Sequence, residues 1–170
     1  MFATLQPPLR TFLLEGVLRF TCTARAIAGV TRVSLAGSLT TPKTLPKDAD
    51  VLVIVDSGCN FEQLAKAGRA LKGHGQTRNS GADIFLATPE GRYLGRSCGW
   101  RDCRPGIRLA CRALHCGGTE FVNDDLQVIN LAPQLIASPP IDLWPYVVRR
   151  VTVPLDVERV LIAPLGAAGS

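Results

Sequence analysis

The spacing of apolar residues changes along the chain, and each change marks an element. Leu9, Phe12, Leu13, Val17, Phe20 and Ile27 fall at helical spacing. They predict an amphipathic helix from Pro8 to Ala28, with the proline at its start, where a missing N–H costs nothing. Gly29 is a natural stop. Arg32 to Ala36 reads as a strand ending at Gly37-Ser38, and Leu39 to Lys47, with Pro42 and Pro46, as a loop holding at most one helical turn. Asp50 to Val55 is a continuous β-branched and apolar run, the signature of a strand covered on both faces.

Asn60 is placed to cap a second helix whose inward face is Phe61, Leu64, Ala65 and Leu71, with Gly73 and Gly75 ending it. Ala82 to Ala87 predicts a third strand. Pro89-Glu90-Gly91 predicts a hairpin turn leading into Arg92-Tyr93-Leu94. Leu126 to Leu131 has the composition of one more strand. From Pro133 onward, Pro139, Pro140, Pro145 and Pro154 argue against long helices and for an extended tail packed over the body of the domain. Helix, strand, loop, strand, helix, strand is the order of a small α/β or α+β domain around a mixed sheet flanked by helices. The 170 residues suit a single domain: a core over 8–95, a cysteine- and arginine-rich irregular insert over 96–118, and a C-terminal strand and Pro-rich tail over 119–170.

Composition narrows the setting more than the chemistry. Apolar residues make up 46% of the chain and charged residues 19%, a globular balance. The net charge of +5 suits contact with phosphates or nucleic acid and equally suits a solvated basic surface. No apolar run approaches the ~20 residues needed to span a bilayer. Pro7, Pro8, Arg10 and Glu15 interrupt what a secretory signal would need as a continuous apolar stretch. The expectation is therefore a cytoplasmic protein without a membrane partner, whose cysteines are reduced or metal-bound.

The candidate chemistry lies at the strand ends. Asp48 and Asp50 are two residues apart at the entrance to a strand, so alternation points both carboxylates to one face. Two anions so close repel each other unless a cation sits between them. Hard divalent ions such as Mg²⁺ or Mn²⁺ prefer such oxygens. Asp83, on the next predicted strand, is within reach of the same cluster. Gly37 lets the backbone approach a ligand closely, Ser38 adds a hydroxyl, and amides in such a turn bind phosphate. Thr40, Thr41, Lys43 and Lys47 follow in the loop as further phosphate contacts. Taken singly, an Asp at a strand entrance is a solvated turn residue and Gly-Ser a turn; the combination is what points to a site.

That combination resembles the nucleotidyltransferase superfamily, which includes polymerase beta-like enzymes, minimal nucleotidyltransferases, and tRNA- and antibiotic-modifying transferases. The match runs from Thr31 to Leu86: a hydrophobic strand ending in Gly-Ser, a spacer, acid-hydrophobic-acid in Asp48-Ala49-Asp50-Val51, and a third acid in Ala82-Asp83-Ile84. Within the superfamily it is similar to a bacterial branch with a cysteine-rich segment. The resemblance implies metal ligation by Asp48, Asp50 and Asp83, and triphosphate binding by Gly37 and Ser38. It implies transfer of a nucleoside monophosphate from ATP or another NTP to an acceptor hydroxyl, on tRNA, another RNA, a protein or a small molecule. Two departures stand out. The spacer carries two prolines where many relatives begin a short helix, and no helical partner domain follows the core. A non-catalytic nucleotide- or partner-binding module of the same fold is the alternative.

Cys98, Cys103, Cys111 and Cys116, with His115 beside the last, form a second candidate site. Thiolate with imidazole suits a tetrahedral structural Zn²⁺, although the spacing departs from the usual Cys-x2-Cys knuckle. Buried thiols and disulfides remain the other readings. Arg96, Arg101, Arg104, Arg108 and Arg112, with Trp100 among them, suit contact with a polyanion, which would make the chain a zinc-stabilised nucleic-acid adaptor. They equally suit an exposed loop whose arginines pair with acids. His74, between Gly73 and Gly75, reads as a solvated loop residue.

Overall fold

The computed structural model describes residues 5–98, 106, 112–114 and 129–168. The first helix, α1, spans Leu9–Ala24, and Pro8 occupies its N-cap position. It stops short of the predicted Ala28. Residues 25–29 turn instead, and Gly29 takes φ +82° where its backbone presses against that of Cys59. The carbonyls of Ala28 and Gly29 accept from the amides of Asn60 and Asp56, and so tie this turn to the far end of the next strand.

Strand β1 spans Val30–Ala36, and a single 3₁₀ turn, Gly37–Thr40, follows it. The spacer thus does begin with a short helix, because Pro42 lies beyond its end. Strand β2 spans Asp48–Val55 and includes both acids of the motif. Helix α2 spans Phe61–Gln76, and the Asn60 side chain accepts from the Gln63 amide at 3.1 Å, as a capping Asn should. The helix runs through Gly73 and Gly75. A Cβ on Gly75 would lie 3.0 Å from the Ser80 carbonyl, so a small residue there lets the helix pass close to the entry of the next strand.

Strands β3 (Gly81–Ala87) and β4 (Tyr93–Arg96) follow, joined by the predicted turn, in which the Thr88 amide donates to the Arg92 carbonyl. The predicted strand at Leu126 to Leu131 lies mostly outside the described residues, and 129–131 have no regular structure.

The C-terminal region corrects the expectation of an extended tail. Helix α3 spans Pro133–Ala137, β5 spans Ile141–Trp144 and β6 spans Val148–Arg149. A final helical run, α4, joins α-helical Leu155–Val157, π-helical Glu158–Ile162 and α-helical Ala163–Ala167. The prolines punctuate these elements without preventing them. Pro133 opens α3, Pro154 sits at the N-cap of α4, and Pro139, Pro140 and Pro145 bracket β5 without removing a donor from its interior. Pro164, inside α4, follows the π-helical stretch, a widened turn of the kind that relieves a disturbed hydrogen-bond ladder.

The result is an α/β fold around one six-stranded mixed sheet, with four helices among the described residues. The strand order is β4-β3-β2-β1-β5-β6. Among the described strands only β2 and β3 run parallel, as the crossover through α2 requires. Alternation along β2 divides its side chains. Val51, Val53 and Val55 join the main core with Leu13, Val17, Leu64, Leu71 and Leu161 from the helices. Leu52 and Ile54 join a small second cluster with Ala87 and Ile136 on the opposite face. Among the described residues α3 packs on this latter face, which is the one that carries the acids.

Candidate functional site

Register places the acids. Asp50 lies opposite Ala36 on β1 and opposite Asp83 on β3, while Asp48 lies opposite Gly81. Residues paired laterally share a face, so Asp48, Asp50 and Asp83 stand together on the side opposite the main core.

The turn after β1 comes directly against this group. Gly37 has φ +67°, and a Cβ built on it would sit 2.1 Å from Asp50 Oδ2. Glycine is required twice over at this position, by conformation and by space. Gly81 is under a similar constraint, with Asp48 Oδ1 2.3 Å from where its Cβ would be.

The three carboxylates nonetheless have different surroundings. Asp48 Oδ1 accepts from the Gly81 amide at 3.1 Å. Asp83 Oδ1 accepts from Arg96 Nη1 at 3.1 Å, across from β4. Among the described residues, no comparable hydrogen bond or ion pair reaches Asp50. Burial raises its pKa from 3.8 to about 6, with further pushes from the Asp83 and Asp48 charges. Among the described residues, no group of three His, Cys, Asp or Glu side chains converges closely enough to hold a metal ion in this conformation. The acids share a face, but two of them are turned toward protein partners.

The turn and spacer are pinned from below. Thr40 is buried and its hydroxyl donates to the Gly37 carbonyl at 2.7 Å; the Thr41 hydroxyl donates to the Ser38 carbonyl at 2.8 Å. Lys43 and Lys47 are exposed. Arg10, on the first turn of α1, is buried beneath the loop. Its Nη1 donates to the Lys43 carbonyl at 2.9 Å and to the Ser38 carbonyl at 3.4 Å, and its Nη2 donates to the Leu39 carbonyl at 3.1 Å. Its Nε and Nη2 also grip Asp156 of α4, at 2.6 and 3.1 Å. Sequence reading used Arg10 only as a break in an apolar run. The available signal was its position: Arg10, Leu14, Val17 and Thr21 repeat at inward helical spacing, and all four are buried.

A second polar group lies on the same sheet face, between β1 and β5. The Ser34 hydroxyl donates to Asp142 Oδ1 at 2.6 Å, both residues are buried, and Arg150 Nη2 pairs with Asp142 Oδ2 at 2.9 Å. Arg32 donates to the Ile136 carbonyl and approaches Asp142. This group joins β5 and α3 to β1.

His74 is not a loop residue. It lies within α2, its ring stacks on Phe12 at 3.8 Å, and its Nε2 lies 2.6 Å from the Phe12 carbonyl. That contact assigns the proton to Nε2 and leaves Nδ1 to accept from Arg19 at 2.8 Å. The residue therefore joins two helices.

Of the candidate zinc ligands, Cys98 is buried just beyond β4. Cys103, Cys111, Cys116 and His115 lie outside the described residues, as do Trp100, Arg101, Arg104 and Arg108. Cys22 and Cys59 pack against the main core, and burial, then the Asp56 charge, pushes the Cys59 thiol up to about 12, which makes it a poor nucleophile.

No helix among the described residues is long and apolar enough to cross a membrane. Comparisons with protein-family models, with curated proteins and with solved structures found no match to this chain.

Proposed function

We propose that the chain is a metal-dependent nucleotidyltransferase of the polymerase beta-like type. The observation that carries the reading is the register of β1, β2 and β3. It sets Asp50 beside Asp83, with Asp48 one step down the same face, directly against a positive-φ Gly37 turn. Burial first, and then the Asp83 and Asp48 charges, raise the Asp50 pKa, so a cation at this position would offset part of that cost.

A hard divalent cation fits this donor set, because three carboxylates supply the oxygens it prefers and it removes their repulsion. Asp48, Asp50 and Asp83 would hold Mg²⁺ or Mn²⁺, which would supply charge neutralisation for the phosphates and for the attacking oxygen. Binding requires the Asp48 and Asp83 carboxylates to turn from Gly81 and Arg96. The Gly37-Ser38 turn receives the triphosphate through its amides and hydroxyl. Lys43 and Lys47 neutralise charge on the phosphates. The acceptor oxygen forms a bond to the α-phosphorus, the bond to the bridging oxygen breaks, and pyrophosphate leaves. Asp83 orients the acceptor hydroxyl and receives its proton.

The test is incubation of the protein with labelled NTPs, Mg²⁺ and a total cell lysate, beside an Asp50→Asn control. Label appearing on RNA, protein or a small molecule, and lost in the control, supports transfer. Equal labelling by Asp50→Asn eliminates this site as its source.

One observation favours a second reading. Arg96 on Asp83 and the Gly81 amide on Asp48 satisfy two of the three acids without any metal. This suits a non-catalytic nucleotide- or partner-binding module of the same fold. Nucleotide binding without transfer to any lysate component would distinguish it.

A further inference from the structure

We infer that the C-terminal helix sets the phosphate affinity of the Gly37-Ser38 turn, through an ion pair between Asp156 and Arg10. The inference rests on the transferase reading for the identity of the ligand, a triphosphate.

The argument starts with the backbone. A loop that binds phosphate must present N–H groups outward, so its carbonyls must be satisfied elsewhere. In the segment after β1 three side chains share this task, and Arg10 has the widest reach. Arg10 collects the carbonyls of Ser38, Leu39 and Lys43, which span the whole front of the spacer. Thr40 and Thr41 take the carbonyls of Gly37 and Ser38 from within the turn. With its carbonyls drawn inward, the turn is fixed before a ligand arrives, and a preorganised site does not spend binding energy on ordering itself.

Arg10 achieves this only while it is held in place. It is 8% exposed, and a buried guanidinium needs a counter-charge. Asp156 supplies it in fork geometry, with one carboxylate oxygen on Nε and the other on Nη2. The Asp156 carboxyl is correspondingly held below its ordinary range, chiefly by the hydrogen bond from Arg10. Asp156 has no role near the acids and stands in the first turn of α4, whose Val157 and Leu161 are buried in the main core. Arg10 and Asp156 are thus positioning residues: neither touches the ligand, and both determine where the loop stands.

The experiment measures binding of inorganic tripolyphosphate and of a fluorescent ATP analogue, with Mg²⁺, to the full chain and three variants. Asp156→Asn removes the counter-charge at a half-exposed position. Arg10→Lys keeps the charge and loses the fork. Leu161→Ala destabilises the same helix without touching Arg10. The expected result is an affinity weaker by on the order of ten- to hundredfold in Asp156→Asn and Arg10→Lys, since a loop without its anchor must be ordered at the expense of binding. Leu161→Ala, assayed well below its unfolding temperature, should bind as the wild type does. A merely structural role for the pair would weaken all three variants in step with their stability, and that result overturns the inference. Unchanged affinity in Asp156→Asn overturns it too, and leaves the transferase reading standing. If Arg10→Lys does not fold, Asp156→Asn against Leu161→Ala decides alone. Wild-type protein that binds neither probe would sink the underlying reading itself.

Discussion

Asp50→Asn should make the protein more stable at neutral pH while removing an anion the proposed chemistry requires. The Asp50 carboxyl is raised from 3.8 to about 6 by burial, then by Asp83 and Asp48. A raised folded-state pKa means that the folded chain binds the proton more tightly than the unfolded chain. Stability therefore falls as pH rises from 3.8 to about 6, and the full penalty is present above that window. At about 1.36 kcal/mol per pH unit, the window corresponds to about 3 kcal/mol. Asp50 retains contact with water, and screening reduces this to roughly 1–2 kcal/mol. Asn keeps the shape that faces Gly37 and carries no charge, so the penalty disappears. For a domain of this length the gain is about 2–8 °C in Tm at pH 7.5. The assay is thermal or urea unfolding of both proteins between pH 3.5 and 8 with chelator present. The two stability curves should coincide at the acid end and separate through the window. A gap independent of pH, or an Asn variant less stable at pH 7.5, refutes the electrostatic account. Adding Mg²⁺ should raise the wild-type Tm and leave that of the variant nearly unchanged.

Other outcomes follow from particular contacts. Gly37→Ala places a side chain at φ +67° and within 2.1 Å of Asp50 Oδ2, so a loss of about 1–3 kcal/mol in unfolding free energy is expected, together with loss of tripolyphosphate binding; stability within 0.5 kcal/mol of wild type would contradict the described packing. Asp156 titrates with the opposite sign from Asp50. Its depressed pKa contributes stability that is present above 3.8 and lost as pH falls through the lower folded-state value, so Asp156→Asn should flatten the acid limb of the stability curve. From the sequence, elemental analysis of protein purified without chelator should give about one zinc per chain. Less than a tenth of that, in folded and reduced protein, favours buried thiols over Cys98, Cys103, Cys111 and Cys116 as ligands.

The legible parts of the fold were those governed by short-range rules. The apolar run at Asp50 to Val55, the Asn60 cap and the Pro89-Glu90-Gly91 turn each signal locally what they do, and each is found within a residue or two of its expected place. The shared face of Asp48 and Asp50 followed from alternation alone. That of Asp83 needed the parallel pairing of β2 with β3, which the α2 crossover made the natural choice. The C-terminal region departs from the expected extended tail because Pro133 and Pro154 stand at helix starts, where proline punctuates and does not break. The inward spacing of Arg10 signals its burial but not its contacts. Its partners lie 28 to 146 residues away, and no local pattern encodes them. Nor does spacing reveal that Arg96 and the Gly81 amide divide the acids between them.

The separation of 146 residues between Arg10 and Asp156 also has a consequence for synthesis. Strands β1 and β2, helix α2 and β3 can assemble from a contiguous stretch near the N-terminus. The loop they carry gains its anchor only after Asp156 has left the ribosome. Until Ile141 has emerged, β1 also lacks its second neighbour and presents an open edge with Val33 and Leu35, residues that are fully buried in the finished sheet. Contacts so distant in sequence close slowly. A growing chain therefore passes through a stage in which the acids are already aligned while an apolar strand edge is unprotected. Chains cut short before residue 141 should be captured by holdase chaperones or aggregate; chains cut after β5 but before Asp156 close the β1 edge, yet they lack the core residues Val157 and Leu161 and should bind phosphate poorly.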